Sequence, residues 1–213
     1  MTGVPAGHRD LTALFDPRSV AVVGASDDTA KWGYMLAKQL LAHDDGRTVH
    51  LVNRKGGTVQ GREALTSLRD VDGPVDLVAI CVPVAGLLDS VDDALAVGAR
   101  AIVAITAGLS EASDEGRALE DEIVRRVRGA GSALVGPNCL GVVDTTSSLQ
   151  LASDTFHAGT VAVLAQSPLG NRPQEAVSLS APELLTAAHD VSAFACGRAS
   201  LDEWLRSRAL SNQ

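Results

Sequence analysis

The sequence has few aromatic residues and few cysteines, and both shortages limit what the chain can be. Aromatic side chains make up 3% of its 213 residues, so the core must be built from valine, leucine, alanine and isoleucine. The three cysteines, Cys81, Cys139 and Cys196, are far apart and form no C-x-x-C pair. This spacing argues against zinc sites and disulfide frameworks and predicts reduced thiols.

The chain is also poor in positive charge and lacks a long apolar run. Its 18 lysines and arginines face 26 acidic residues, which gives a formal net charge of -8. Because phosphate contacts need clustered basic residues, this balance argues against nucleic acid as a partner. Met1–Asp10 has no apolar signal segment, and no apolar run reaches the length of a membrane span. We expect a soluble, cytoplasmic protein that does not associate with membranes.

Short apolar runs alternate with helical patterns along most of the chain. Continuous apolar runs of this length are typical of parallel strands that are buried on both faces. Such runs are Ser19–Val23, Val49–Val52, Leu77–Val82, Ala101–Ile105, Ala133–Val135 and Thr160–Leu164. Helical spacing predicts helices over Lys31–His43, Leu87–Val97 and Gly116–Val127. The alternation predicts an α/β fold with a doubly wound, Rossmann-like parallel sheet.

The alternation stops near Leu169. Asn171-Arg172-Pro173-Gln174 is typical of a junction, and no further strand–helix–strand unit follows it. We therefore expect a domain over residues 1–170 and a short tail over residues 171–213, with a helix at Trp204–Leu210.

The first strand ends in a glycine, and a helical pattern follows within a few residues. The turn between them contains Gly24, Ala25, Ser26 and Asp27. In a doubly wound fold, such a turn leads to a helix whose free N–H groups face a phosphate. The spacing is not G-x-G-x-x-G, because the next glycine after Gly24 is Gly33. For this stretch alone, an ordinary strand-to-helix turn is the alternative.

The end of the second strand indicates which nucleotide the turn would bind. An NAD site usually has a carboxylate here, which binds the ribose hydroxyls. This strand is followed instead by Asn53, Arg54 and Lys55. Two cations suit a ribose that carries a phosphate, as in NADP (2′-phosphate) or coenzyme A (3′-phosphate). A solvated basic turn is the alternative.

The later strands end in a proline, a hydroxyl and a glycine-containing turn. Pro83 lacks an N–H, so it leaves the strand ladder and stiffens the turn. Thr106 and Gly108 offer a hydroxyl and an open backbone, although both strand ends also fit ordinary turns. The fifth strand leads into Gly136–Gly141, where two glycines, a proline and an asparagine make a demanding turn.

Together these motifs resemble the CoA-binding domain of NDP-forming acyl-CoA synthetases, a family that includes the alpha subunit of succinyl-CoA synthetase. The resemblance covers about residues 12–170. Its most specific part is Gly136–Gly141, which reads Gly-Pro-Asn-Cys-Leu-Gly. Other matching segments are Phe15–Pro17, Ser19–Ser26, Val52–Lys55, Val75–Leu77 and Ile105–Gly108.

The resemblance implies a site for coenzyme A or an acyl-CoA along the strand ends. It places the turn after the first strand on the CoA phosphates, Lys55 on the nucleotide end, and later strand ends along the pantetheine arm. The implied cofactor-binding residues are Gly24, Ala25, Ser26, Asp27, Asn53, Lys55, Val82, Pro83, Ile105, Thr106, Ala107 and Asn138. Cys139 would help to shape the floor near the thiol. Because no histidine or aspartate stands beside it in sequence, we expect a structural thiol.

The chain departs from the family after Gln166-Ser167. In the family a second domain follows and carries a histidine that is phosphorylated during catalysis. Here Pro168–Asn171 follows, and none of the five histidines occupies a matching position. The sequence also shows no ATP-grasp domain. We therefore expect part of an acid–thiol ligase that has no catalytic residues or metal of its own, is not catalytic alone, and works with a separate ligase or ATP-grasp subunit.

The tail resembles a different family. Leu179–Glu183, Cys196-Gly197 and Ser200–Leu205 are similar to the opening of a GNAT acetyltransferase of the toxin type that acetylates charged tRNA. The match stops before every catalytic position, so it implies no transferase activity; a docking helix is the alternative. For the whole chain, the alternatives are an NADP-binding regulatory domain, an interaction subunit, and a non-functional fusion of a synthetase fragment with an acetyltransferase fragment.

Overall fold

A computed structural model describes residues 10–43 and 46–159 of the chain. In chain order the helices and strands are α1 (Thr12–Phe15), β1 (Ser19–Val23), α2 (Trp32–Ala42), β2 (Thr48–Val52), β3 (Thr58–Val59), β4 (Arg62–Glu63), β5 (Leu77–Ile80), α3 (Leu87–Ala96), β6 (Ala101–Ala104), α4 (Asp114–Gly129), β7 (Ala133–Val135), β8 (Gly141–Asp144) and β9 (Leu149–Ala152). Short 3-10 turns lie at Leu68–Asp70 and Val84–Gly86.

Five of the strands form one parallel sheet in the order β2-β1-β5-β6-β7. The predicted Rossmann-like parallel sheet is therefore confirmed. The predicted sixth strand at Thr160–Leu164 and the whole tail lie outside the described residues. No helix in the described ranges is long and apolar enough to cross a bilayer.

The sheet separates two hydrophobic cores, which explains why its strands read as continuous apolar runs. On β1, Val20 and Val22 belong to one core with Leu36 of α2. Ala21 belongs to the other core with Ile123 of α4. Since successive side chains of a strand point to opposite faces, helices on both sides leave no polar face on the central strands.

Two strands end earlier than the apolar runs predict, although the hydrogen bonds of the sheet continue past them. Cys81, just after β5, donates its N–H to the carbonyl of Val23 at 2.8 Å. Ile105, just after β6, donates its N–H to the carbonyl of Ile80 at 3.0 Å. The backbone beyond each strand is therefore held firmly at the edge of the sheet.

Two small antiparallel hairpins, β3–β4 and β8–β9, are absent from the prediction made from the sequence. The first turns at Gln60 and Gly61, whose φ angles are +49° and +77°. It brings Gln60 beside the turn that follows β1. The second packs Leu149 and Leu151 into the same core as α2.

Asp76 fastens the opposite edge of the sheet, where the strands begin. Its carboxylate accepts hydrogen bonds from the N–H groups of Arg18 (2.8 Å) and Ser19 (3.3 Å) and from the Arg100 guanidinium (2.8 Å). Burial acts to raise the pKa of Asp76, but the bond from Arg100 and the two backbone bonds outweigh it and lower the pKa. The starts of β1, β5 and β6 are thus joined by one ionised side chain.

Candidate cofactor-binding site

The strand order reverses between β1 and β5. From β1 the chain passes to β2 on one side, and it then returns to β5 on the other side of β1. In an open α/β sheet, ligands bind in the crevice outside the carboxyl ends of the strands at such a point. The loops after β1, β2, β5, β6 and β7 meet at this edge, and they carry all the predicted cofactor-binding residues.

Two glycines shape the turn that follows β1. Gly24 has a φ of +92°, and a Cβ there would lie 2.6 Å from the carbonyl oxygen of Cys81. A Cβ on Gly33, in the first turn of α2, would lie 1.9 Å from the carbonyl oxygen of Gly24. Only glycine fits either place, so α2 begins directly against the end of the sheet. Sequence reasoning noted Gly33 only as a break in the glycine spacing and gave it no role.

Backbone N–H groups are available in this turn. The N–H groups of Gly24 and Ala25 donate to Val52 at 3.0 and 3.1 Å. Within the described residues, those of Ser26 and Asp27 have no hydrogen-bond partner, and no side chain caps the start of α2. Unpaired N–H groups in a turn and the start of a helix both attract anions, so the segment from Ser26 to the start of α2 suits a phosphate.

The two acidic side chains near this turn, Asp27 and Asp28, both accept hydrogen bonds from protein donors, which reduces their repulsion of a bound anion. The Asp27 carboxylate accepts the N–H of Gln60 at 2.8 Å, which draws it towards the β3–β4 hairpin. The Asp28 carboxylate accepts the N–H of Ala30 at 3.1 Å and pairs with Lys31 at 3.4 Å. Those two contacts lower the pKa of Asp28, the backbone bond most strongly.

Asn53 connects the loop after β2 to the turn after β1. Its side-chain amide donates to the carbonyl of Ala25 at 2.8 Å, and its side-chain oxygen accepts the N–H of Lys55 at 2.9 Å. Arg54 and Lys55 are exposed, and neither forms an ion pair within the described part of the chain. Their charges are therefore available to a phosphate.

The loops after β5 and β6 are joined by a buried hydroxyl. Thr106 is 8% exposed and donates to the carbonyl of Val82 at 2.7 Å. Ile105 is 5% exposed, so its side chain belongs to the core and its main chain is the part that faces the edge. Pro83 and Ala107 are exposed beside them.

The Gly136–Gly141 turn is as demanding as its composition predicts. It contains a cis peptide bond between Gly136 and Pro137, and Asn138 has a φ of +57°. A Cβ on Gly136 would lie 2.3 Å from the carbonyl oxygen of Ala104, so the turn presses against the end of β6. The N–H of Asn138 donates to the carbonyl of Thr106 at 2.9 Å and extends the row of linked loops to β7.

Two cysteines belong to these loops: Cys81 directly follows β5, and Cys139 lies in the Gly136–Gly141 turn. The Sγ of Cys139 donates to the carbonyl of Ala104 at 3.3 Å, and burial raises its pKa. Burial, with a smaller contribution from Cys139, raises the pKa of Cys81 to about 12. Because the thiolate is the nucleophile, both cysteines are poorly suited to covalent catalysis, and the structural role expected for Cys139 stays a prediction.

A cavity of about 370 Å³ lies at the other edge of the sheet, where Arg100 precedes β6 and Ser132 precedes β7. It contains none of the predicted residues. Within residues 10–43 and 46–159, no group of three or more His, Cys, Asp or Glu side chains could hold a metal ion.

Comparison with known proteins identifies the family. Residues 18–145 match the family described as "CoA binding domain". The match spans more than half of the chain, and the chain belongs to this family. The predicted CoA-binding domain and its cofactor, coenzyme A, are therefore confirmed.

The relatives include subunits of CoA ligases. The alpha subunit of acetate–CoA ligase [ADP-forming] II from Pyrococcus furiosus is 36% identical over 158 residues, which are 74% of this chain and 34% of the relative. A solved structure of dinucleotide-forming acetyl-coenzyme A synthetase 1 from Ca. Korarchaeum cryptofilum has a TM-score of 0.63 at 34% identity, over 67% of this chain and 30% of that one. A crystal structure of a protein from Pyrococcus horikoshii OT3 has a TM-score of 0.65 at 35% identity, over 68% of this chain and 33% of that one.

The chain thus spans about a third of the length of each of these three proteins. It is homologous to the CoA-binding part of the alpha subunits of ADP-forming acyl-CoA synthetases, as predicted. The resemblance of the tail to an acetyltransferase lies beyond the family match and outside the described residues, and it stays a prediction.

Proposed function

We propose that residues 1–170 form a domain that binds coenzyme A or an acyl-CoA along the carboxyl edge of the sheet. The observation that carries this proposal is the continuous row of linked loops from β2 to β7. Hydrogen bonds join Asn53 to Ala25, Cys81 to Val23, Thr106 to Val82, and Asn138 to Thr106. A ligand that contacts all of these loops must be extended along the edge.

The nucleotide end of the ligand fits the side of the row that lies at β1 and β2. The free N–H groups of Ser26 and Asp27 and the start of α2 would hold phosphates. Arg54 and Lys55 would contact the 3′-phosphate. The Asp27 carboxylate is turned towards Gln60, so Asp27 would bind through its backbone.

The pantetheine arm would run from β1 across β5 and β6 to β7. These four strands span three interstrand spacings of about 4.8 Å each, which suits an extended arm better than a compact group. Val82, Pro83 and Ala107 would border the arm, and the main chain of Ile105 and Thr106 would face it. The turn at Asn138 would then lie near the thiol.

We further propose that the chain acts together with a ligase subunit that supplies the catalytic groups. Two lines support this proposal: relatives are named as alpha subunits, and the chain spans about a third of their length. Mixing the chain with a purified ligase subunit that carries both an ATP-grasp domain and the phosphorylated histidine is expected to give thioester synthesis that neither component shows alone. Synthesis by the chain alone would contradict the proposal. A cytoplasmic location remains a prediction.

Thermal unfolding with added ligands tests the binding proposal. CoA is expected to raise the melting temperature in proportion to the logarithm of its concentration above Kd. Dephospho-CoA is expected to raise it less, and NADPH not at all. No shift at millimolar CoA would overturn the proposal, and a shift with NADPH alone would favour an NADP-binding domain.

A further inference from the structure

Glu111 lies at the same edge of the sheet, outside the predicted set of contacts. It stands in the loop between β6 and α4, and its carboxylate accepts the backbone N–H groups of Gly108 (2.6 Å) and Leu109 (3.2 Å). The side-chain amide of Asn138 donates to the same carboxylate at 3.2 Å. One exposed side chain therefore joins the loop after β6 to the loop after β7.

The charge of Glu111 strengthens these contacts. Hydrogen bonds to an ionised acceptor are about twice as strong as bonds between neutral groups. The bond from Gly108 is the largest cause of a lowered pKa at Glu111; slight burial opposes it, and the bond from Leu109 adds to it. At neutral pH the group that holds the two loops is therefore a carboxylate.

The same arrangement explains what the Asn138 side chain does. The φ of +57° at Asn138 is a left-handed conformation that asparagine tolerates better than most residues. In this conformation its N–H reaches Thr106 at 2.9 Å while its side-chain amide reaches Glu111. Both donors of Asn138 thus bind protein groups of the β6 loop.

We infer that Glu111 is a positioning residue for the coenzyme A groove, which fixes the loops after β6 and β7 at the separation that the pantetheine arm requires. This role rests on the proposed function. Without the carboxylate, the N–H groups of Gly108 and Leu109 lose their acceptor and the Asn138 side chain is released. CoA must then order two loops as it binds, which weakens its affinity.

Three substitutions separate this role from a general effect on folding. Glu111→Ala removes all three contacts. Glu111→Gln keeps one acceptor oxygen but presents an NH₂ group where the second oxygen stood. Asp121→Ala is the matched control, because Asp121 is exposed on α4 and its side chain has no hydrogen bond or ion pair with the described residues. Calorimetric titration with CoA, thermal unfolding and ¹H–¹⁵N NMR spectra are measured for the full chain.

We expect Glu111→Ala to weaken CoA binding about tenfold, since ordering each freed side chain or loop opposes binding. The melting temperature should change little, because Glu111 is exposed. Glu111→Gln should give an intermediate affinity, and Asp121→Ala should bind as the wild type does. The Gly108 backbone amide and the Asn138 side-chain amide should shift in the spectrum of Glu111→Ala but not in that of the control.

Wild-type CoA affinity in Glu111→Ala would overturn the inference, as would unchanged Asn138 amide resonances. Should Glu111→Ala fail to fold, Glu111→Gln gives the same two readouts. Absence of CoA binding by the wild type is a different result: it defeats the proposed function, while the resonances still show whether Glu111 joins the two loops.

Discussion

Gly33 lies directly against Gly24, so that the first turn of α2 touches the carbonyl at the end of β1. A Cβ on Gly33 would stand 1.9 Å from that oxygen, a distance that no packed pair of atoms can adopt. The contact places the free N–H groups of the turn beside the switch in strand order. In G-x-G-x-x-G nucleotide loops a glycine allows the helix to pack closely on the strand. Gly33 has the same role here, at a different spacing.

Gly33→Ala should therefore destabilise the fold and damage the phosphate turn together. Because the obstructing atom belongs to the backbone, we expect a loss of about 3 kcal/mol or more in the free energy of unfolding. Gly129→Ala is the matched control: Gly129 ends α4 with nothing within 4 Å of the added Cβ. There alanine should stabilise the helix by up to about 1 kcal/mol. Urea unfolding gives the free energy of unfolding of both variants. Equal changes in Gly33→Ala and Gly129→Ala would contradict the packing argument.

Arg54 and Lys55 should distinguish coenzyme A from dephospho-CoA. An exposed ion pair contributes up to about 1 kcal/mol, so each substitution to alanine should weaken CoA binding by up to about fivefold. Dephospho-CoA affinity should stay near its wild-type value, because it lacks the phosphate concerned. Arg128→Ala, which removes an exposed cation from α4, is the control. Titration calorimetry at low salt measures both affinities. Equal losses of affinity for CoA and dephospho-CoA would show that these cations do not contact the 3′-phosphate.

Much of this architecture can be predicted from the sequence, because each buried parallel strand is a continuous apolar run. Such a run can be identified without knowing which strands lie beside it. The same reasoning places the site, because the loops after parallel strands share one edge. It does not find the β3–β4 hairpin, because each strand has only two residues and those of β4, Arg62 and Glu63, are charged and exposed. The β8–β9 hairpin did leave a signal: the polar turn at 145–148 separates two short apolar runs.

Two of the missed site residues share a physical reason. Gln60 and Glu111 act through contacts with loops that are distant in sequence. Gln60 reaches Asp27 and the carbonyl of Tyr34 (2.9 Å), and Glu111 reaches Asn138. Residue type and local spacing carry no trace of such contacts; they become visible only when the loops are placed side by side.

Asp76→Asn should reduce stability at neutral pH and have little effect in acid. The folded-state pKa of Asp76 is lowered, so its contribution is complete above the unfolded-state pKa of about 3.9 and is lost as the pH falls through the folded-state value. At pH 7 we expect a loss of about 1–3 kcal/mol, the value of hydrogen bonds to a charged group. Urea unfolding at several pH values measures it. Asp72→Asn, at an exposed aspartate, is the control, and a pH-independent loss at Asp76 would refute the linkage.

Cys81 and Cys139 should react slowly with thiol reagents while the chain is folded. Burial raises both pKa values, that of Cys81 to about 12, so little thiolate exists at pH 8. A Cys196→Ser variant leaves only these two thiols to be counted. Ellman's reagent is expected to modify both rapidly in denaturant and neither rapidly without it. Fast reaction of the folded variant would mean that one thiol is open to solvent and ionised.

The row of linked loops also ties ligand binding to the last stage of folding. Its members come from segments that stretch from the turn at Gly24 to the turn at Gly136–Gly141, and parallel pairing requires every crossover between them to be complete. A partly assembled sheet therefore offers no binding edge. Any ligand that occupies the whole row acts on the native state alone, so it should slow the unfolding of the chain and leave its rate of folding nearly unchanged.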